Sequence, residues 1–133
     1  MSNMLDKHVA AYQRDNLYDF DNEILLTWYP LRVLHHAGAA RSLLELGLGH
    51  GYTIDIFSRS FERHVVLEGS PAVISNFYDK HTECRTAIVE TWFESCTTEE
   101  RFDVIVMGFI LEHVDDPVLI LRRFREFLAP DGR

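Results

Sequence analysis

The segment Glu45-Leu46-Gly47-Leu48-Gly49-His50-Gly51 puts three alternate glycines just behind an acid. Glycine lets a backbone turn tightly and approach a ligand closely. A helix that begins just beyond such a turn offers its free N–H groups to the same place. Both flanks fit a ligand cradle better than a plain turn, because Ser42–Leu46 is a short apolar run and residues 52–60 read as a helix. Glu68 closes a second β-branched run, 64–67, and lies seventeen residues past Gly51. A carboxylate at that strand end can accept both hydroxyl hydrogens of a ribose. The spacing is G-x-G-x-G, with Tyr52 standing where a dinucleotide fingerprint needs its third glycine, which disfavours an NAD-dependent oxidoreductase.

The elements that must position these groups alternate in period. Residues 5–13 read as a short helix and 15–19 as a turn. Asp21 then caps a helix carrying Ile24, Leu25 and Trp28. Pro30 removes a helical hydrogen bond, so it is expected to open a separate helix over 30–36 that Gly38 ends. Residues 71–79 read as helix and 86–89 as strand. Residues 102–107 form the strongest strand, apolar on both faces apart from Asp103. Asp116-Pro117 opens a helix with Val118, Leu121, Phe124 and Leu128 on one stripe, and Ala129-Pro130-Asp131-Gly132 stops it. Strands alternating with helices imply an α/β fold with a parallel sheet. A strand apolar on both faces implies helices on both sides of that sheet.

Composition bounds the rest. The chain has 133 residues, 47% hydrophobic and 26% charged, which is the range of one globular domain. Thirteen Lys and Arg against twenty-one Asp and Glu leave a net charge of −8. That acidity argues against nucleic acid or an anionic membrane as partner, since both attract basic faces. No apolar run reaches the roughly 20 residues of a spanning helix, and residues 1–9 lack the apolar core of a secretory signal. Cys84 and Cys96 make neither a disulfide framework nor a zinc site, which fits a reducing, cytoplasmic compartment. The His35-His36 pair shows no ligand spacing, and the arginines at 122, 123 and 125 read as a solvated helix face.

Taken together the motifs resemble the class I, Rossmann-like S-adenosylmethionine-dependent methyltransferases, in their small-molecule branch. Leu44 to Gly51 resembles the first motif of that family, and Val66-Leu67-Glu68-Gly69-Ser70 resembles the second. Residues 102–107 resemble its fourth strand. Leu111-Glu112-His113-Val114 and Leu128-Ala129-Pro130-Asp131-Gly132 resemble two later stretches. The resemblance implies a Rossmann-like three-layer sandwich with S-adenosylmethionine as cofactor and S-adenosylhomocysteine as product. It implies that Glu45, Gly47, Leu48, Gly49 and Gly51 surround the methionine part, and that Glu68, Gly69 and Ser70 hold the ribose. It places Glu90, Thr91 and Trp92 at the adenine, with Trp92 either a stacking face or an ordinary packed aromatic. Met107, Gly108 and Phe109 would lie beside the sulfur. Methyl transfer from a sulfonium rests mostly on an in-line approach, and a base helps when the acceptor carries a proton. His113 is the candidate catalytic base, set against a merely local packing role, with His50 a weaker candidate. One related branch binds a divalent metal through Glu-x-x-Glu-His; Phe109 replaces the first acid here, so no metal is expected.

The resemblance covers about residues 41–133, leaving 1–40 as an N-terminal helical cap. Tyr12, Tyr18, Phe20, Trp28 and Tyr29 could form a lid over the cofactor or pack that cap on the sheet, with packing favoured for Trp28 and Tyr12 and Tyr18 the lid candidates. The family sheet has seven strands ordered 3-2-1-4-5-7-6, and only 3-2-1-4 can be placed. The chain is therefore expected to be the N-terminal part of a longer enzyme, stopping before the fifth strand. Strand 102–107 would then lie at an unpaired edge, where a homodimer could form. The expected activity is methyl transfer to an oxygen or nitrogen of a small-molecule acceptor. The alternative is a non-catalytic cofactor-binding module of the same fold.

Overall fold

The computed structural model of the chain describes residues 4–8 and 19–133. A 3₁₀ turn, Met4–His8, is followed by α1 (Asp19–Ala37), β1 (Ser42–Leu46), α2 (Ile54–Ser60), β2 (Arg63–Glu68) and α3 (Pro71–Lys80). Then come β3 (Ala87–Glu90), β4 (Val104–Val106) and α4 (Pro117–Arg125), with short 3₁₀ turns at Phe93–Ser95 and Leu111–His113. The four strands pair in parallel in the order β3-β2-β1-β4, as the resemblance implies. Tyr12 and Tyr18, and most of the helix expected over 5–13, lie outside the described residues.

Side chains alternate across a strand, so β1 feeds two cores. Leu44 and Leu46 join Val65 and Leu67 against Ile120 and Phe124 of α4 and Phe127 just beyond it. Leu43 joins Val104 and Val106 against Ala37, Phe57 and Phe61 of the α1 and α2 side. Val66 continues that side with Leu48, Ile54, Val73 and Phe77. Burial on both faces is what makes 43–46 and 64–67 read as apolar runs, with Glu45 and His64 as the two polar exceptions.

Two helices start on sequence-legible caps. The Ser70 hydroxyl accepts the Val73 N–H (3.2 Å) with Pro71 in the first turn. The Asp116 carboxylate accepts the Leu119 N–H (2.9 Å) ahead of Pro117. Such caps satisfy amides that have no partner within the helix.

Several expectations need correction. Trp28 does not pack the N-terminal helix on the sheet, since it is 59% exposed. Pro30 does not open a new helix; it lies inside the continuous α1. A proline there costs about 3 kcal/mol, but Pro30 is fully buried and its neighbours Tyr29, Val33, Leu34 and Ala37 pack on the sheet core. Tertiary burial over several turns outweighs one missing hydrogen bond. The strand expected over 102–107 pairs with β1 only over Val104–Val106, while Phe102 forms an isolated parallel bridge with Leu128. Ahead of it, Asp103 is turned to β1, where its carboxylate accepts the N–H groups of Arg41 (2.7 Å) and Ser42 (3.0 Å). Those two bonds hold its carboxyl below the usual range. Finally, the outer edge of β4 is not bare. The Arg133 N–H donates to the Asp103 carbonyl and the Ile105 N–H donates to the Arg133 carbonyl, both at 2.9 Å. That is the bonding of one parallel strand residue laid beside Val104.

Among the described residues, no helix is long and apolar enough to cross a membrane.

Candidate functional site

The C-terminal ends of β1, β2 and β3 open onto a cavity of about 310 Å³. Ligands of open parallel sheets bind at that end. Gly47, Glu68, Gly69, Thr91, Trp92 and His113 all line it, so the structure brings together six of the expected site residues from four separate segments.

The glycine loop is shaped by its backbone. Gly47, Gly49 and Gly51 have φ of +88°, +51° and +75°, a region in which side chains are strained. A Cβ on Gly47 would meet the Ile110 Cδ1 at 2.5 Å, and one on Gly51 would meet the Phe77 ring at the same distance. Gly47 thus opens the cavity wall, while Gly51 lets α3 pack under the loop.

Glu68 ends β2 beside the loop. Its Oε2 accepts the Leu48 N–H (3.0 Å) and its Oε1 accepts the Ser70 N–H (2.9 Å). The carboxylate is therefore fixed by two backbone amides, one from the glycine loop and one from the start of α3. Each oxygen keeps acceptor capacity, since a carboxylate offers about four lone-pair sites. Leu48 contributes its amide while its side chain is buried in the core. Ser70 is fully buried, capping α3 and donating its hydroxyl to Asp6 of the first turn (2.7 Å). Met4 and Leu5 of that turn also line the cavity, and a Cβ on Gly69 would meet Leu5 Cδ1 at 2.6 Å.

Trp92 is 41% exposed with one side toward the cavity. His113 sits on its 3₁₀ turn among Ile110, Val114 and Asp115 of the same wall. Other expected residues stand elsewhere. Glu90 pairs with Glu68 in register at the end of β3 but does not line the cavity. Met107 and Gly108 line a separate groove between β4 and α1, with Tyr29 and Arg32. Phe109 is exposed, has φ +57°, and meets the Tyr29 ring edge-on at 5.7 Å. His50 stacks on Tyr52 at 4.9 Å, away from the cavity lining.

Glu45 is 3% exposed and lies behind the loop. Its Oε1 accepts the hydroxyls of Thr53 (2.7 Å) and Tyr29 (3.2 Å), and its Oε2 lies 3.0 Å from His64 Nε2. His64 Nδ1 lies 2.8 Å from the Thr86 hydroxyl. Burial, and then the Glu45 charge, hold the Tyr29 phenol far above its usual value, so it remains a donor. Among the described residues, no buried side-chain nitrogen or oxygen lacks a partner.

Sequence reasoning missed some lining residues. Phe93 and Glu94 directly follow Trp92, and Ile110 lies between Phe109 and His113, so adjacency alone could have found them. Nothing in the sequence ties Met4 and Leu5 to Gly69, sixty-odd residues away.

The fold and this cleft define a Rossmann-like methyltransferase domain. A family described as "methyltransferase domain" matches residues 12–133, and the chain belongs to that family. No curated protein matches it. Among solved structures it is similar to the N-methyltransferase NodS from Bradyrhizobium japonicum WM9 in complex with S-adenosyl-L-homocysteine. That match has 20% identity and a TM-score of 0.77, covering 98% of this chain and 70% of NodS. It is similar to the glycopeptide N-methyltransferase MtfA at 23% identity and TM-score 0.68, covering 80% of this chain and 50% of that one. An amino pentose methyltransferase from Micromonospora echinaspora, bound to S-adenosylmethionine, matches at 16% identity and TM-score 0.66 over 98% of this chain and 54% of its own. The chain thus spans about half to 70% of the length of these neighbours.

Proposed function

We propose that the chain binds S-adenosylmethionine in the cleft at the ends of β1–β3 and serves methyl transfer to a nitrogen of a small-molecule acceptor. The observation that carries this reading is Glu68, aimed into a cavity by the Leu48 and Ser70 amides beside a glycine held at positive φ. The residues fit the cofactor. Gly47 leaves open the wall that a Cβ would fill against Ile110, Glu68 is a ribose acceptor, and Trp92 offers a flat apolar face for a base. The bound cofactor supplies a methyl group on an already activated sulfonium. The chain's own part is to hold the ribose at Glu68, exclude water with Leu5 and Ile110, and take the acceptor's proton at His113. Nitrogen is favoured over oxygen because NodS and MtfA are N-methyltransferases.

A non-catalytic cofactor-binding module is the second reading. It is favoured by the concentration of site residues on the cofactor side, where His113 alone among them is a candidate base. Calorimetry with S-adenosylmethionine, S-adenosylhomocysteine and NAD tests the cofactor. Binding of the first two is expected, and binding of NAD alone overturns it. Turnover on a panel of amines, phenols and carboxylates then separates enzyme from binder, with methylated amine as the expected product.

A further inference from the structure

The network behind the glycine loop is larger than its binding role requires. Glu45 on β1, His64 on β2 and Thr86 just before β3 run side by side across three strands, each less than 5% exposed. The two ends of the chain of bonds differ in chemistry. Glu45 Oε1 already accepts two hydroxyl hydrogens, from Tyr29 and Thr53. A carboxylate has none to return, so the hydrogen between Glu45 Oε2 and His64 Nε2 is carried by the imidazole. A hydroxyl can either give or take a hydrogen, and Thr86, 2.8 Å from Nδ1, gives one to a neutral ring. The donors and acceptors thereby select the Nε2–H tautomer.

Both hydroxyls that Glu45 holds belong to segments that flank the site without lining its cavity. Thr53 is the residue before α2, and its hydroxyl makes no cap for that helix because it is committed to Glu45. It therefore ties down the far end of the loop that begins at Gly47. Tyr29 of α1 reaches the same oxygen while its ring covers Gly108, where an added Cβ would come within 2.7 Å of it. A carboxylate that loses its Nε2–H partner in this dry setting must turn to find another, and it would drag both hydroxyls with it.

We propose that His64 is a positioning residue for the cofactor site, oriented by Thr86 to donate Nε2–H to Glu45 and so fix, through Thr53 and Tyr29, the glycine loop and the segment after β4. It never touches the ligand. The inference rests on the cofactor reading given above.

The test is titration calorimetry of the whole chain with S-adenosylmethionine, alongside melting curves and two-bond ¹H–¹⁵N spectra of the histidine rings. The wild-type spectrum is expected to show His64 as the Nε2–H tautomer. His64→Leu, which fills the space without donating, is expected to weaken binding about tenfold or more. His64→Gln places an amide N–H near Nε2 and is expected to recover affinity to within about threefold of wild type. That recovery is what a packing role alone would not produce. Thr86→Val keeps the ring but removes its orienting hydroxyl, and it serves if His64→Leu does not fold. It is expected to weaken binding by loosening the ring's orientation, while the ring stays Nε2–H because Glu45 still takes that hydrogen. Binding by His64→Leu at wild-type strength overturns the proposal, as do equal losses in Leu and Gln or an Nδ1–H tautomer in the wild type. Absence of binding by the wild-type chain instead defeats the cofactor reading itself, and this proposal with it.

Discussion

Replacing Gly47 by alanine separates backbone conformation from close approach. At φ +88° any L side chain is strained, by about 1–2 kcal/mol. The new Cβ would also stand 2.5 Å from Ile110 Cδ1. That atom is the end of a flexible side chain, so relief by a small shift leaves roughly 1 kcal/mol of overpacking. The sum, about 2–3 kcal/mol, corresponds to a fall in Tm of roughly 6–12 °C for a domain of this size. Thermal unfolding of Gly47→Ala, Ile110→Ala and the double variant forms a cycle that divides the two causes. The double variant is expected to recover about 1 kcal/mol relative to additivity, because the contact is gone while the φ penalty stays. S-adenosylmethionine affinity should fall in Gly47→Ala and return only in part in the double variant, since the Cβ still narrows the cavity. A Gly47→Ala protein melting within a degree or two of wild type would refute the conformational reasoning. Strict additivity in the cycle would refute the contact with Ile110.

Three further outcomes follow from other parts of the structure. Glu68→Gln keeps one acceptor oxygen for the Leu48 and Ser70 amides but faces the other with an NH₂ group. Cofactor affinity is expected to drop by roughly 10-fold or more with a smaller effect on Tm, and calorimetry showing unchanged affinity would remove the ribose role. Asp103 has its carboxyl lowered by the Arg41 and Ser42 amides, so its contribution to stability is present above the ordinary carboxylate range near pH 4 and is lost as pH falls through the lowered value. The denaturation midpoints of wild type and Asp103→Asn should therefore converge in acid, and a gap independent of pH would contradict the assignment. Because Arg133 already occupies the Asp103 carbonyl and the Ile105 amide, pairing of two copies through β4 is not expected; a concentration-dependent dimer broken by substitutions at that edge, seen by light scattering, would count against this.

What the amino-acid sequence alone determined is whatever rests on local pattern. Alternate glycines after an apolar run allow a turn with unusual φ, and all three have it. Ser70-Pro71 and Asp116-Pro117 carry their capping chemistry within four residues, so those helix starts were legible. Parallel strands buried on both faces are short apolar runs, so β1 and β2 were found almost to the residue. Other decisions belong to the tertiary structure, because they depend on distant partners. Pro30 stays inside α1 because that helix lies on the sheet, a term no window around Pro30 contains. Asp103 leaves the strand because Arg41 and Ser42, sixty residues earlier, present two amides to it. Glu45 turns away from the cavity because His64, Thr53 and Tyr29 converge on it from three other elements. A hydrogen-bond partner brought close only by folding leaves no trace in sequence spacing. The motif located the cleft, and packing decided which of its acids lines the cavity and which is buried behind the loop.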